Sequence, residues 1–420
     1  MSRFFKDAEG GARRPRRPDK RLVGTIMLLY FSAFLLISLQ SWPIDLAGLG
    51  LSLAVPALIY VATLGLPHFF PVDKLMLAIV NFLCALGVLI LYITDRGAGT
   101  SRGLQQALYY GVGVGCMVVC VLLVRYVRRW NLLIPVIFAG ALALMALPLA
   151  IGTEQNGATN WILIGGTSLQ PSEVVKLALL LVVAYYLGRR RTLPWLVFAG
   201  ACLGMLMLQK DLGTALIYYA TTLMMFYAAT SNIPLTLVGA AGGCGAAVLG
   251  YKMFVHVKKR VAIWQNPWLY YESSGYQLVK ALIAIASGGL FGVGLGLGEP
   301  RSIPVYFTDC IYAVICEQFG VIFGALVLAM YVILILRGTS IATSARHSFH
   351  ALLAIGATVM LGVQTFVIIG GVLKLIPLTG VTMPFVSYGG TSLVSCMCLV
   401  GLMQGVASVN QDELKYDYEI

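Results

Sequence analysis

The chain has 420 residues, of which 59% are hydrophobic and only 11% are charged, and its formal net charge is +12. Soluble domains carry roughly 25% charged residues, so this composition excludes an ordinary soluble protein. The nine cysteines and four histidines lack the spacing of a zinc or disulfide framework. The composition therefore indicates a polytopic membrane protein.

Apolar runs of bilayer-spanning length follow one another along almost the whole chain. A membrane-crossing helix needs about 20 mostly apolar residues. About twelve runs meet this requirement, and they predict an all-α membrane domain over residues 22–410. The predicted spans are 22–40, 45–64, 74–94, 104–124, 131–151, 171–188, 193–209, 211–229, 233–252, 309–336, 348–374 and 385–408.

Lysines and arginines predict the orientation of these spans. With both termini cytoplasmic, the cytoplasmic side carries 18 Lys and Arg residues and the outer side carries 10. Residues 1–21 are then a basic cytoplasmic tail, 411–420 is a second cytoplasmic tail, and 253–308 is a long outer loop. The basic tail predicts the anionic bilayer surface as its partner, and not a nucleic acid.

The predicted outer loop contains two unusual stretches. Lys258, Lys259 and Arg260 form a basic cluster close to Trp264. The run 284–296 is rich in glycine, which favours re-entrant or interfacial packing with close backbone approach over a further span. The run is not a nucleotide-binding loop, because no strand precedes it and no Lys-Ser/Thr follows it.

Ionisable residues near predicted spans are costly and are therefore candidates for function. Glu173 and Lys176 lie three residues apart at the start of a span, so they share one helix face and can pair. This pair either fixes the helix register or belongs to a site. Asp211 precedes another span, where it can cap the helix or serve a site.

Two further polar positions begin later spans. Asp309 and Glu317 are eight residues apart, about 80° around a helix, so we expect both carboxylates to face one outward-opening cavity. Such a cavity could bind a metal ion or a proton. Ser387 lies in a polar, glycine-rich break at 384–392, which indicates either close packing or a cavity, since irregular backbone at membrane depth needs one of these.

Seven short segments in chain order resemble the SEDS family (FtsW, RodA and SpoVE), the membrane polymerases of peptidoglycan glycan strands. They are Asn156–Ile162, Gln209–Ala215, Asn266–Trp268, Gly275–Leu278, Ser287–Leu290, Thr308–Asp309 and Pro384–Ser392. Each segment alone is weak evidence, but their shared order is specific. The family usually has three spans ahead of the first segment, and five are predicted here, so the resemblance implies an added N-terminal pair.

The resemblance implies glycosyl transfer between two lipid-linked disaccharide-peptides (lipid II). A hydroxyl of the acceptor sugar attacks the anomeric carbon of the donor, and the lipid pyrophosphate leaves. A carboxylate must take the hydroxyl proton. Cationic side chains or a divalent ion, Mg²⁺ or Mn²⁺, must stabilise the pyrophosphate. The expected substrate-binding residues are Lys258, Lys259, Arg260, Glu173, Lys176, Asp211, Asp309, Glu317 and Ser387.

The sequence departs from the family at the residue that is regarded as catalytic. Family members usually carry an aspartate two residues after the Trp of Asn-Pro-Trp, and Tyr270 occupies that position here. A neutral phenol is a poor general base, so Glu272, two residues further on, is the predicted catalytic carboxylate. A displacement of ~1 Å can nevertheless cost ~100-fold in rate. Gln318 is a second departure, because many relatives carry an acid there, and it weakens the metal hypothesis.

The resemblance also implies a class B penicillin-binding protein (a transpeptidase) as partner, and a multi-pass location in a bacterial plasma membrane. The polymerase, serving cell division or cell shape, is the leading prediction. Tyr270 favours an alternative, a catalytically silent relative that acts as a scaffold or regulator of the transpeptidase. The intramembrane charges permit a third function, transport of a lipid-linked precursor.

Overall fold

The computed structural model describes residues 20–418 except 41, 43, 97–98, 156–157 and 165–166. Nearly all of the predicted basic tail 1–21 lies outside this part of the chain. So do residues 156–157 of the first family segment and the last two residues of the predicted tail 411–420.

The described residues form fourteen α-helices and one small sheet. The helices are α1 (Lys20–Leu39), α2 (Leu46–Tyr60), α3 (Lys74–Asp95), α4 (Arg102–Tyr126), α5 (Trp130–Ile151), α6 (Pro171–Gly188), α7 (Thr192–Leu208), α8 (Leu212–Thr230), α9 (Ile233–Met253), α10 (Val255–Gln265), α11 (Tyr276–Gly288), α12 (Ile311–Thr343), α13 (Ser348–Val372) and α14 (Gly390–Tyr418). Strands β1 (Thr153–Gln155), β2 (Ala158–Ile164) and β3 (Thr167–Leu169) pair antiparallel in chain order between α5 and α6.

The predicted all-α polytopic architecture is confirmed. Within the described residues, eleven helices are long and apolar enough to cross a membrane. They match all the predicted spans except that of α7, an apolar helix of 17 residues. The helices α3 and α14 lie at the centre of the bundle, with 94% and 89% of their apolar windows buried, whereas only 6% of the window of α9 is buried.

Two helices differ most from their predicted bounds, and both contain or adjoin irregular backbone. The span predicted at 309–336 begins at Ile311, and its helix α12 is broken at Gly320, where φ is 85°. The span predicted at 385–408 begins at Gly390 and continues to Tyr418, because 384–389 is loop and the predicted tail 411–420 is helical up to 418.

The added N-terminal pair, α1 and α2, is bonded to the rest of the bundle by buried polar groups. The hydroxyl of Tyr30 donates to the carbonyl of Phe82 at 2.8 Å. The Asn81 amide on α3 donates to the Thr63 hydroxyl at 2.8 Å and accepts from the Tyr110 hydroxyl at 2.7 Å. Buried polar groups that satisfy one another specify a unique arrangement, so the pair has a fixed place against α3 and α4.

The glycine-rich run after α11 packs against the break in α12, and the predicted close backbone approach is confirmed. The amide of Val293 donates to the carbonyl of Glu317 at 2.9 Å, and that of Val321 donates to the carbonyl of Gly289 at 2.9 Å. A Cβ atom on Gly292 would lie only 2.2 Å from the carbonyl oxygen of Gln318. Glycine is therefore required where the two backbones exchange hydrogen bonds.

Candidate functional site

The loop between α13 and α14, residues 373–389, is called the central segment below, and its residues 383–387 are buried. Its backbone carbonyls accept hydrogen bonds from side chains of several elements that are distant in sequence. These bonds are Trp264 Nε1 to Lys374 O (3.0 Å), Arg260 Nη1 to Thr379 O (2.9 Å), Gln364 Nε2 to Thr382 O (2.9 Å) and Gln106 Nε2 to Ser387 O (3.0 Å). The central segment thereby connects the polar residues of the site to one another.

Ser387 anchors the C-terminal part of the central segment. Its hydroxyl donates to the carbonyl of Thr308 at 2.6 Å and accepts from the amide of Met383 at 2.8 Å. The amide of Tyr388 donates to the carbonyl of Phe307 at 2.8 Å. Ser387 is buried, so its hydroxyl holds the central segment against the residues that precede α12.

Glu173 and Lys176 form the predicted pair, with Nζ 2.5 Å from Oε2, and both side chains are buried. Each has a second partner on another helix. The hydroxyl of Ser395 of α14 donates to the Glu173 carboxylate at 2.6 Å. The Lys176 ammonium donates to the side-chain amide oxygen of Gln364 of α13 at 3.2 Å. The pair therefore links α6 to the helices on both sides of the central segment.

Asp211 caps α8 as predicted, since its carboxylate accepts from the amide of Thr214 at 3.1 Å. Its other carboxylate oxygen accepts from the side-chain amide of Asn160 at 2.7 Å and from the side-chain amide of Gln170 at 3.1 Å. Capping alone would need only the first of these bonds. Asp211 is buried and ties the strand β2 and the start of α6 to the start of α8.

Arg260 and Asp309 meet beside Gly380 of the central segment. A Cβ atom on Gly380, where φ is +78°, would lie 3.6 Å from Asp309 Oδ2 and 3.9 Å from Arg260 Nη2. Thr308 and Gln277 also stabilise the charged form of the Asp309 carboxylate, and the side-chain amide of Gln277 donates to Cys310 Sγ at 3.5 Å. Burial raises the pKa of Asp309, although its hydrogen bonds and Arg260 oppose this. Burial lowers the pKa of Arg260, and Asp309 and Asp211 oppose that change.

The predicted basic cluster is divided by its helix. Lys258 and Lys259 are exposed on α10, whereas Arg260 is half-buried and faces the central segment. Burial, together with Arg260 and Lys210, lowers the pKa of His256 one turn earlier. Neutral His256 and cationic Arg260 thus lie side by side at the end of the bundle that is predicted to face outward.

Tyr270 and Glu272 lie at a tight turn between α10 and α11. The carbonyl of Tyr270 accepts from the amides of Ser273 and Gly275 at 3.0 and 2.9 Å. Glu272 is exposed and lines a depression of about 430 Å³. The same depression is lined by Gln277, whose side-chain amide donates to the Sγ atom of Cys310. Tyr270 is not among the residues that line it.

The structure does not bring Asp309 and Glu317 into the shared site that their spacing predicted. The helix α12 begins only at Ile311, so Asp309 precedes it and the helical angle does not apply. Asp309 lies close to Arg260 across Gly380, whereas Glu317 accepts from the amide of Glu299 at 3.0 Å. Within the described residues, no group of three or more His, Cys, Asp or Glu side chains could hold a metal ion.

Several residues that complete the site were not predicted from the sequence. They are Gln277, Gln364, Ser395, Asn160, Gln170 and Thr379. Asn160 and Gln277 lie within family segments and could have been chosen on that ground. The other four gain their role only through contacts between distant elements.

Fold and site together define a polytopic helical membrane protein with a charged polar centre built around an irregular loop. The family model FTSW_RODA_SPOVE, described as "Cell cycle protein", matches residues 73–412. The chain therefore belongs to the FtsW/RodA/SpoVE (SEDS) family, as predicted, and it is a multi-pass bacterial membrane protein.

Curated relatives support this membership. The chain is 32% identical to "Peptidoglycan glycosyltransferase RodA" of Mycobacterium tuberculosis, covering 94% of this chain and 92% of the relative. It is also 32% identical to "Stage V sporulation protein E" of Bacillus subtilis, covering 80% of this chain and 96% of that protein. The N-terminal pair, α1 and α2, precedes the residues that the family model matches. The alignment with the mycobacterial relative leaves only 6% of this chain uncovered, so it includes at least part of this pair.

Solved structures share the fold. A chain of the structure described as "Structural coordination of polymerization and crosslinking by a peptidoglycan synthase complex" has a TM-score of 0.66 at 26% identity, covering 81% of this chain and 98% of that one. The crystal structure of Thermus thermophilus Rod shape determining protein RodA has a TM-score of 0.58 at 27% identity, covering 81% of this chain and 98% of that one.

Proposed function

We propose that this chain is a peptidoglycan glycosyltransferase that extends glycan strands at the outer face of the bacterial cell membrane, in cell shape maintenance or division. Its relatives are named peptidoglycan glycosyltransferase RodA and probable peptidoglycan glycosyltransferase FtsW. The observation that carries the proposal is the placement of a cation, Arg260, next to carboxylates at one end of this fold. Glycosyl transfer with a diphosphate leaving group needs both kinds of group.

The proposed substrates are two molecules of lipid II. In the donor, Arg260, supported by the exposed Lys258 and Lys259, would neutralise the pyrophosphate as it leaves. In the acceptor, a sugar hydroxyl gives its proton to a carboxylate of the site. Glu272 is the carboxylate that the sequence predicts for this step.

The remaining predicted substrate-binding residues hold the shape of the site. Glu173 and Lys176 are buried and bonded to one another, and Asp211 and Ser387 are also buried and bonded to neighbouring elements. We propose that they position the central segment and do not bind the sugar directly. Glu317 belongs to the packing of the glycine-rich run against α12.

A bound divalent cation fits these residues poorly. The described part of the chain offers no cluster of three metal-binding side chains. Mg²⁺ commonly takes one or two carboxylates and completes its shell with substrate phosphates and water. Mg²⁺ or Mn²⁺ would therefore have to arrive with the pyrophosphate, and the proposed reaction is written without it.

The proposed partner is a class B penicillin-binding protein. One structural neighbour belongs to a structure described as a peptidoglycan synthase complex in which polymerization and crosslinking are coordinated. The second candidate function, a catalytically silent scaffold for such a partner, is favoured by one observation, Tyr270 at the position of the family's aspartate. Transport is less favoured, because the intramembrane charges Glu173 and Lys176 are bonded to one another.

The test is polymerisation of labelled lipid II by the purified chain, alone and with its transpeptidase partner, with the partner alone as control. The polymerase predicts a ladder of glycan products that requires this chain. A scaffold predicts lipid II binding, or binding of the partner, without any ladder. A ladder made by the partner alone would remove the basis for assigning the activity to this chain.

A further inference from the structure

We propose that Asp309, and not Glu272, accepts the proton of the attacking sugar hydroxyl, in a gap that Gly380 leaves open between Asp309 and Arg260. This inference rests on the proposed function and names the base of that reaction.

The gap is defined by the missing side chain of Gly380. A single point, the position of a Cβ atom there, lies within van der Waals distance of both Asp309 Oδ2 (3.6 Å) and Arg260 Nη2 (3.9 Å). An oxygen atom of a substrate near this point can therefore reach a carboxylate and a guanidinium together. Glycosyl transfer needs a base and a cation a few ångströms apart, because in the transition state the attacking hydroxyl oxygen and the leaving diphosphate oxygen are partly bonded to opposite sides of one anomeric carbon.

The groups around Asp309 suit a base. Arg260 is the cation that faces it from α10, and Gln277 of α11 stabilises its charged form. Its chain neighbour Cys310 carries a thiol whose pKa burial raises to about 12, so that neighbour is neutral. Burial raises the pKa of Asp309 itself. A carboxylate with a raised pKa binds a proton more strongly than a solvated one and is a better general base near neutral pH.

Glu272 lacks these features. It is exposed, and the residues that line its depression are Glu272, Ser273, Ser274, Tyr276, Gln277 and Pro304, which include no lysine or arginine. The depression can hold a polar sugar, but it offers no cation to the diphosphate. Gln277 lines the depression, and its side-chain amide donates to the Sγ atom of Cys310, the residue after Asp309, at 3.5 Å. An acceptor sugar that lies against Gln277 is therefore close to Asp309.

The proposed step is a single displacement at the anomeric carbon of the donor. The hydroxyl oxygen of the acceptor forms a bond to the anomeric carbon of the donor as its proton passes to Asp309 Oδ2. The bond from the anomeric carbon to the diphosphate oxygen breaks, and its electron pair leaves with the diphosphate. Arg260 neutralises part of the charge of the leaving group, and protonated Asp309 later returns its proton to water.

The test compares Asp309→Asn, Asp309→Glu and the matched control Glu272→Gln in the complete chain with its partner. Polymerisation and binding of labelled lipid II are both measured for each variant. We expect Asp309→Asn to lose about 100-fold or more in rate, the range of general-base catalysis, with lipid II binding retained. Asp309→Glu, which keeps a carboxylate, should recover part of that loss, and Glu272→Gln should lose much less of the rate than Asp309→Asn.

Two results would overturn the assignment. If Glu272→Gln abolishes polymerisation while lipid II binding persists, then Glu272 is the base, and this holds even if the Asp309 variants do not fold. If Asp309→Asn loses binding as strongly as rate, then Asp309 acts in binding or structure. A wild-type chain that makes no glycan would instead refute the proposed function itself, so the two failures are distinguishable.

Discussion

The buried pair of Glu173 and Lys176 allows the sharpest prediction about stability. Removing one partner of a buried ion pair leaves an uncompensated charge and costs about 3–5 kcal/mol. The exposed fractions of the two side chains are 10% and 3%, and the pair has further partners in Ser395 and Gln364, so this range applies in full. Lys176→Met and Glu173→Leu should each lose this much free energy of unfolding.

The double variant Glu173→Leu/Lys176→Met should lose much less than the sum of the two single losses. Apolar side chains of similar volume often replace a buried pair with little loss, because no charge is left to desolvate. The free energy of unfolding is measured in lipid bicelles by steric trapping, and the four chains form a double-mutant cycle. Single losses below about 1 kcal/mol, or a double loss equal to their sum, would refute this account of the pair.

Three further predictions concern the site. In the pH profile of the polymerisation rate, the midpoint of the fall at low pH should lie above the ordinary pKa of an aspartate, because burial raises the pKa of Asp309. A pH profile that is the same in Asp309→Asn contradicts this. Arg260→Gln should weaken lipid II binding by about 1.5–3 kcal/mol, the range for a hydrogen bond to a charged group, and the exposed control Lys259→Gln should weaken it by less. Equal losses would contradict the assignment of Arg260, and not Lys259, to the site. Gly87→Ala should displace the central segment and lower activity, because its Cβ would lie 2.5 Å from the carbonyl oxygen of Val386. Gly115→Ala, whose Cβ would have no atom within 4 Å, should leave activity unchanged. If both variants leave activity unchanged, the close packing at Gly87 is contradicted.

The fold could be predicted to a large extent because bilayer-spanning helices depend on local composition. Runs of about 20 apolar residues are specified by neighbours in the chain, and so the predicted spans match the observed helices. The prediction missed the break within α12 at Gly320 and the loop at 384–389, where the backbone is irregular. Such backbone is stabilised by partners far away in sequence, as when the carbonyl of Thr308 accepts from Ser387.

The residues of the site likewise differ in whether local sequence or distant contacts determine their role. The pairing of Glu173 with Lys176 and the cap by Asp211 could be predicted, since both depend on spacing within one helix. The proximity of Arg260 and Asp309 could not, because it brings α10 and the residues before α12 together across Gly380. The prediction that Asp309 and Glu317 face one cavity failed for a local reason, since it assumed a helix that begins two residues before the real one.

The most direct test of the central claim is the amount of lipid pyrophosphate released per glycosidic bond formed when the purified chain acts on lipid II with its partner. A polymerase that joins lipid-linked units breaks one sugar–diphosphate bond for each new glycosidic bond. We therefore predict equal amounts of the two products, both dependent on this chain. Lipid II that is bound without release of pyrophosphate would contradict the claim and would identify the chain as a silent member of its family.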